Sequence, residues 1–302
     1  MNKLMIIGIL TILSLFFFSS CQKDSTLEPT CEEIINNLRI NQLQILGSHN
    51  SYRQRTYEPI FQFLSAPPFP LPPDFAPQDW DYDHIPLKRQ FNEFGIRSIE
   101  LDVFYDPDGG LFSNRMGLGF VGEDPASGEP ALEEPGLKVL HYPDADYLSH
   151  HLTFRDALQT VKDWSEENPN HLPLMIMVEP KEDNPNTLVP GLGLTETIPF
   201  DKTALGSIDE EIKSIFGESL GKVITPDEVR GSYSTLHEAV HDGNWPTVGD
   251  SRGKVLFIML ASGNEGNDYA EGHASLSGRA MFMFSGAEED YSAFIKIDNP
   301  SD

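Results

Sequence analysis

Apolar positions along the 302-residue chain fall into short, nearly unbroken runs separated by stretches of helical spacing or by loops rich in glycine, proline and acids. Ile96–Phe104, Leu172–Val178, Lys254–Leu260 and Arg279–Phe284 have the continuous apolar character of strands buried on both faces of a parallel sheet. A first strand is predicted near Leu43–Gly47, a short one over Leu137–Leu140 and a weaker one over Ser292–Ile297. Between them, Leu87, Phe91 and Phe94 mark a short amphipathic helix stopped by Gly95. Thr153 reads as the N-cap of a helix carrying Phe154, Leu158, Val161 and Trp164 on one face. Ser207–Phe216 and Tyr233–His241 also have helical spacing, whereas residues 22–34 form a polar stretch without an apolar period. Residues 58–83 contain Ala66-Pro67-Pro68-Phe69-Pro70-Leu71-Pro72-Pro73, whose prolines forbid a helix or central strand, so an ordered excursion over the domain is expected.

Strands alternating with helices over this length predict an α/β class with a parallel sheet. The polar residues separate the two versions of that class. They end several different strands, as in a (β/α)₈ TIM-type barrel. A doubly wound nucleotide binder places a glycine-rich phosphate loop after its first strand, and Gly47-Ser48-His49-Asn50 is not one.

The first residues change the picture of where the chain works. Lys3, the apolar run Leu4–Phe18 and then Ser19-Ser20-Cys21 read as a secretory leader. The apolar run is too short for a comfortable transmembrane helix. Cys21 after two serines resembles the lipobox of bacterial lipoproteins, which implies cleavage before Cys21 and acylation of its sulfur. The expected organisation is a signal peptide at 1–20, a lipid-anchored linker at 21–35 and one domain over 36–302 with the Pro-rich insertion at 58–83. The expected address is the outer membrane, with exposure at the cell surface. Cys31 is the only other cysteine, so stability has to come from a core rather than from disulfides. A formal net charge of −26 argues against nucleic acid as a partner. A monomer is expected.

The strand ends carry the chemistry. Glu100 and Asp102, two apart on a strand, point to the same face. Carboxylates crowded together repel unless a cation lies between them. Asn50 adds a neutral oxygen and Glu179 a third carboxylate; four such ligands suit Ca²⁺, with Mg²⁺ as the alternative. His49 and His141 suit proton transfer near neutral pH better than metal ligation.

The quoted text resembles the calcium-dependent phosphatidylinositol-specific phospholipase C group within the phospholipase C and glycerophosphodiesterase-like barrel superfamily. The resemblance is carried by Ile45-Leu46-Gly47-Ser48-His49-Asn50-Ser51-Tyr52 and by His84-Ile85-Pro86-Leu87 with Gly95-Ile96-Arg97-Ser98-Ile99-Glu100-Leu101-Asp102-Val103. Val139-Leu140-His141-Tyr142-Pro143, Met177-Val178-Glu179-Pro180-Lys181 and Glu271-Gly272-His273-Ala274-Ser275-Leu276-Ser277-Gly278-Arg279 follow in order, over roughly residues 40–298. The resemblance implies His49 and His141 as the catalytic histidines. It implies Asn50, Glu100, Asp102 and Glu179 as calcium ligands and Lys181 as a contact to the phosphate or the inositol headgroup. The implied chemistry is attack of the inositol 2-hydroxyl on phosphorus, releasing diacylglycerol. Relatives in this group continue past the last strand into an arginine-bearing and a closing strand, so a barrel incomplete at its C-terminus is also an expectation. Two rival readings stand beside it. One is a glycerophosphodiester phosphodiesterase, although that family places arginine and glycine where Asn50-Ser51 stands. The other is a non-catalytic surface lipoprotein that binds lipid headgroups or glycans.

Overall fold

The computed structural model describes residues 28–66, 76–261, 264–286 and 288–297. Among the described residues six strands make one sheet: β1 (Gly47–Ser48), β2 (Ser98–Phe104), β3 (Lys138–Val139), β4 (Leu174–Pro180), β5 (Val255–Met259) and β6 (Met281–Met283). The path runs β1-β2-β4-β5-β6, and every neighbour along it is parallel. This is the α/β class with a parallel sheet expected from the sequence. Its two ends, β1 and β6, have no pairing to each other among the described residues.

Alternation along β2 separates two environments. Ile99, Leu101 and Val103 are fully buried against the helical layer, and Ser98, Glu100 and Asp102 face the other way. On β4, Leu174, Ile176 and Val178 are likewise sealed in the core, while Met175, Met177 and Glu179 keep partial access. Complete burial of one such aliphatic side chain contributes about 1.5–3 kcal/mol. The helices follow the same logic. The helix Phe154–Glu167 begins at Thr153, whose side chain accepts from the Asp156 backbone N–H, and it buries Phe154, Leu158, Val161 and Trp164. The Trp164 indole donates to Asn92 at 2.8 Å and so ties this helix to the preceding one, Leu87–Glu93.

Four expectations need correction. Residues 22–34 are not all linker: a helix covers Cys31–Asn37, started by a reciprocal cap between Thr30 and Glu33 that the lack of an apolar period concealed. Part of the 58–83 excursion is helical, Glu58–Ser65, because Pro59 falls in the first turn where its missing N–H costs nothing. The prolines at 67–73 lie outside the described residues. Strand β3 is antiparallel, pairing Val139 with Val103 and Lys138 with Phe104, because the chain re-enters at the C-terminal end of β2 after the 105–137 loop. The weak strand at 292–297 reduces to one parallel bridge, Phe284 to Phe294. The helix Glu58–Ser65 and the 105–137 loop share a small apolar cluster of their own, including Ile60, Phe104, Phe112, Leu118 and Leu140. That cluster sits beside the C-terminal strand ends.

Candidate active site

Register builds the centre of the site. In the β2–β4 pair, Asp102 lies opposite Glu179 and Glu100 opposite Met177, so the three carboxylates converge. One oxygen of each of Glu100, Asp102 and Glu179 lies within 4.8 Å of the others. The turn after β1 folds onto this point: the Ser51 N–H donates to the Glu100 carbonyl at 3.0 Å, and the Glu100 N–H donates to Ser51 Oγ at 2.9 Å. Asn50 holds a left-handed backbone (φ 48°), which asparagine tolerates better than most residues. Its amide Nδ2 donates to the Tyr82 hydroxyl at 3.1 Å, leaving its buried Oδ1 without a donor. Both carboxylate oxygens of Asp102 are also buried and lack a hydrogen bond of normal length, the buried Tyr52 hydroxyl acting on them from farther off.

Buried acceptors with no donor are costly for a protein to keep. Burial and the neighbouring Glu179 push the Glu100 carboxyl up to about 7 and lift Asp102 well above the usual carboxylate range. A hard divalent cation would offer these oxygens the positive partner they lack. The donor set of Asn50, Glu100, Asp102 and Glu179 therefore fits calcium. It is the only cluster of three or more Asp, Glu, His or Cys ligands among the described residues. His237 and His241, with ring centres 6.3 Å apart, have no third ligand there.

Two histidines lie near this trio and close enough to act on one another. His49 stands at the mouth, exposed, with Nε2 at 3.8 Å from Glu100 Oε1. Its carbonyl accepts from His84 Nε2 at 2.7 Å, and the His84 carbonyl in turn accepts from His150 Nε2 at 2.7 Å. Desolvation at the rim and the adjacent His141 lower its pKa, with Glu179 opposing. His141 is more enclosed. Its Nδ1–H donates to Asp146 Oδ2 at 2.7 Å, and the edge of Trp80 closes on the ring at 5.3 Å. Asp146 is completely buried and also accepts from Arg53 Nε at 2.6 Å and from the Thr56 hydroxyl at 2.7 Å. With the Nδ1 proton held, Nε2 is the nitrogen left to exchange a proton with substrate.

Lys181 completes the set, with Nζ 3.0 Å from Asp183 and 3.7 Å from Glu179. Burial alone would lower its pKa, but Asp102, Glu179 and Asp183 outweigh it and keep the ammonium charged. A cavity of about 1010 Å³ opens here, lined by Tyr142, Glu179, Lys181, Asp183, Tyr291 and Lys296.

Every expected site residue inside the described region, His49, Asn50, Glu100, Asp102, His141, Glu179 and Lys181, thus reaches one location; Cys21 lies outside it. Sequence reasoning missed Asp146, Arg53, His84 and Lys296. An acid five residues after His141 was the available signal for Asp146. Nothing in the spacing singles out Arg53, which is fully buried and paired across 93 residues with Asp146.

Comparison with known proteins adds the family. The structure resembles a calcium-dependent phosphoinositol-specific phospholipase C from Pseudomonas sp., at 18% identity and a TM-score of 0.48. That match covers 83% of this chain and 67% of the other. It also resembles a Ca²⁺-dependent phosphatidylinositol-specific phospholipase C from Streptomyces antibioticus, at 17% identity and a TM-score of 0.44, covering 79% and 64%. No curated protein sequence matches the chain. The model of a protein family described as phosphoinositide phospholipase C, Ca²⁺-dependent, matches residues 38–302. That span takes in every strand and all seven residues gathered at the site, and the chain belongs to the Ca²⁺-dependent phosphoinositide phospholipase C family.

Proposed function

We propose that this chain cleaves phosphatidylinositol between phosphate and diacylglycerol, with His49 and His141 as the proton-transfer pair. The observation that carries the reading is an imidazole 3.8 Å from a convergent carboxylate trio and a second imidazole near the first, oriented by a buried aspartate. His49, its pKa lowered and so neutral near pH 7, takes the proton of the inositol 2-hydroxyl. That oxygen forms the new bond to phosphorus, and the bond from phosphorus to the glycerol oxygen breaks. His141 gives its Nε2 proton to the departing oxygen, while Asp146 holds the ring in place. The products are a cyclic inositol phosphate and diacylglycerol. Lys181, kept charged by its acidic neighbours, faces the phosphate or the headgroup. Calcium held by Asn50, Glu100, Asp102 and Glu179 would supply charge stabilisation at the phosphate oxygens and a lower pKa for the attacking hydroxyl.

The test is turnover of phosphatidylinositol and of glycerophosphoinositol by the purified protein, with calcium and with chelator. Calcium-dependent release of cyclic inositol phosphate from the lipid is expected. Turnover of glycerophosphoinositol alone would favour a glycerophosphodiester phosphodiesterase. No turnover of either by folded protein would leave a headgroup- or glycan-binding lipoprotein.

The reading extends to the address. Ser19-Ser20-Cys21 supports a chain cleaved before Cys21, acylated there and held at the outer membrane, beside a lipid substrate. Metabolic labelling with a fatty acid is expected to mark the wild-type protein and not Cys21→Ser. Equal labelling of both would end the anchor proposal.

A further inference from the structure

We propose that Tyr82 is a positioning residue of the metal centre, its hydroxyl holding the Asn50 amide so that the amide oxygen is left to the cation. The proposal rests on the reading of Asn50 and the carboxylate trio as a calcium site. An asparagine amide has two unlike ends, an oxygen that accepts and an NH2 that donates. Its terminal torsion is soft, so contacts decide which end points where. With Glu100, Asp102 and Glu179 converging at the site, the NH2 end is the one that their charge attracts. Turned that way, the amide would offer a cation hydrogen atoms instead of an oxygen. The Tyr82 hydroxyl gives the NH2 an acceptor outside the carboxylate set: Asn50 Nδ2 donates to it at 3.1 Å. Asn50 is itself buried, and its Oδ1 accepts from no donor. The end that Tyr82 does not hold is thus the end with an unmet need for positive charge.

Both partners of this hydrogen bond are fixed by a third residue. Asn50 and Tyr82 lie 32 residues apart, and Arg53 reaches both. Its backbone N–H donates to the Asn50 carbonyl at 2.9 Å, closing the turn that holds Asn50 at positive φ. Its guanidinium donates to the Tyr82 carbonyl and lies over the Tyr82 ring, 4.2 Å from the centroid. That guanidinium is itself fully buried and paired with Asp146. The His84 ring meets Tyr82 edge-on, with centroids 5.7 Å apart. The residue is therefore held by its ring and its backbone, and Tyr82→Phe takes away the hydroxyl alone. Orienting partners of this kind, one contact removed from the metal, are typically worth about 10–100-fold in metal affinity.

The experiment is calorimetric titration of calcium into the purified protein after treatment with chelator. The site's own binding is the component that Asp102→Asn removes. Tyr82→Phe is expected to weaken that component about tenfold or more. Its metal-free melting temperature is expected to fall by no more than about 2–4 °C, the worth of one hydrogen bond. A second background separates a role through Asn50 from a general one. Aspartate tolerates the left-handed backbone as asparagine does. In Asn50→Asp both ends of the side chain are oxygens, so Tyr82→Phe is expected to change affinity there by less than about threefold. Equal calcium affinity in wild type and Tyr82→Phe would overturn the proposal. So would the same loss in both backgrounds, or a metal-free melting temperature lowered far beyond that range, either of which would make Tyr82 a structural residue of its loop. A wild-type titration with no component removed by Asp102→Asn would instead overturn the calcium site on which the proposal rests.

Discussion

Turnover of phosphatidylinositol by the His141→Ala variant is expected to fall by about 10³-fold, with the same fall in His49→Ala. General acid and general base assistance are each worth about 10²–10⁴ in rate. In the proposed mechanism the two serve the same transfer, so the double variant should be little worse than either single one. The geometry adds a graded test. Asp146 fixes His141 through Nδ1, and Asn at that position offers an amide in place of one carboxylate oxygen, which favours the wrong tautomer. Asp146→Asn is therefore expected to lose about 10²-fold in kcat, with a changed pH profile and little change in KM. It also leaves the buried Arg53 short of its counter-charge, at a stability cost of about 3–5 kcal/mol, so rates have to be normalised to folded protein. The ascending limb of the wild-type pH profile should lie below pH 6.5, because His49 has to be neutral to accept a proton and its pKa is lowered. His241→Ala, a change at an exposed histidine far along the chain, should leave the rate unchanged. More than a tenth of wild-type activity in His141→Ala would sink the proton-transfer assignment.

Calcium is expected to raise the melting temperature of the protein by several degrees, and Asp102→Asn to remove most of that rise. In the chelated protein the folded state raises the Glu100 pKa from an ordinary 4.5 to about 7. A carboxyl raised on folding gives stability that is complete below about pH 4.5 and is lost as pH climbs to about 7. Asp102, raised well above the usual range, adds to the loss in the same direction. For Glu100 alone the effect is on the order of 3 kcal/mol, which in a domain of this size is about 6–12 °C. Calcium cancels the repulsion and stabilises by binding the folded state only. The measurement is thermal unfolding from pH 4.5 to 7.5, with calcium and with chelator, for wild type and Asp102→Asn. The surface of this strongly acidic chain also attracts calcium, so the contrast between the two proteins is what decides. An equal calcium shift in both would place the binding elsewhere.

Much of this site was legible because parallel strands write it locally. Glu100 and Asp102 declare a shared face by their spacing of two, and the apolar neighbours Ile99, Leu101 and Val103 declare which face is core. His49-Asn50 and Glu179 end their strands, and strand ends in such a sheet lie together. What stayed hidden was set by tertiary pairing. His141 follows a two-residue strand that runs antiparallel, and nothing in Leu137–Leu140 distinguishes that from a parallel partner. Asp146 acquires its role only when Arg53 and Thr56 arrive from another segment. Lys296 enters through the folded position of the last described segment, where it lines the large cavity and acts electrostatically on Glu100. The helix Glu58–Ser65 was obscured by the prolines that follow it, although Pro59 at its start favours helix formation.

Arg53 closes the base of the proline-rich excursion as well as binding Asp146. Its guanidinium donates to the Tyr82 and Trp80 carbonyls and to Thr56, so one side chain holds both ends of the intervening stretch. Loop-closure cost grows only slowly with length once the ends are held. The clamp thereby ties the excursion to the site: Trp80 and Tyr82, whose carbonyls it holds, are the residues that meet His141 and Asn50, so a shift in the excursion's return path is transmitted to both.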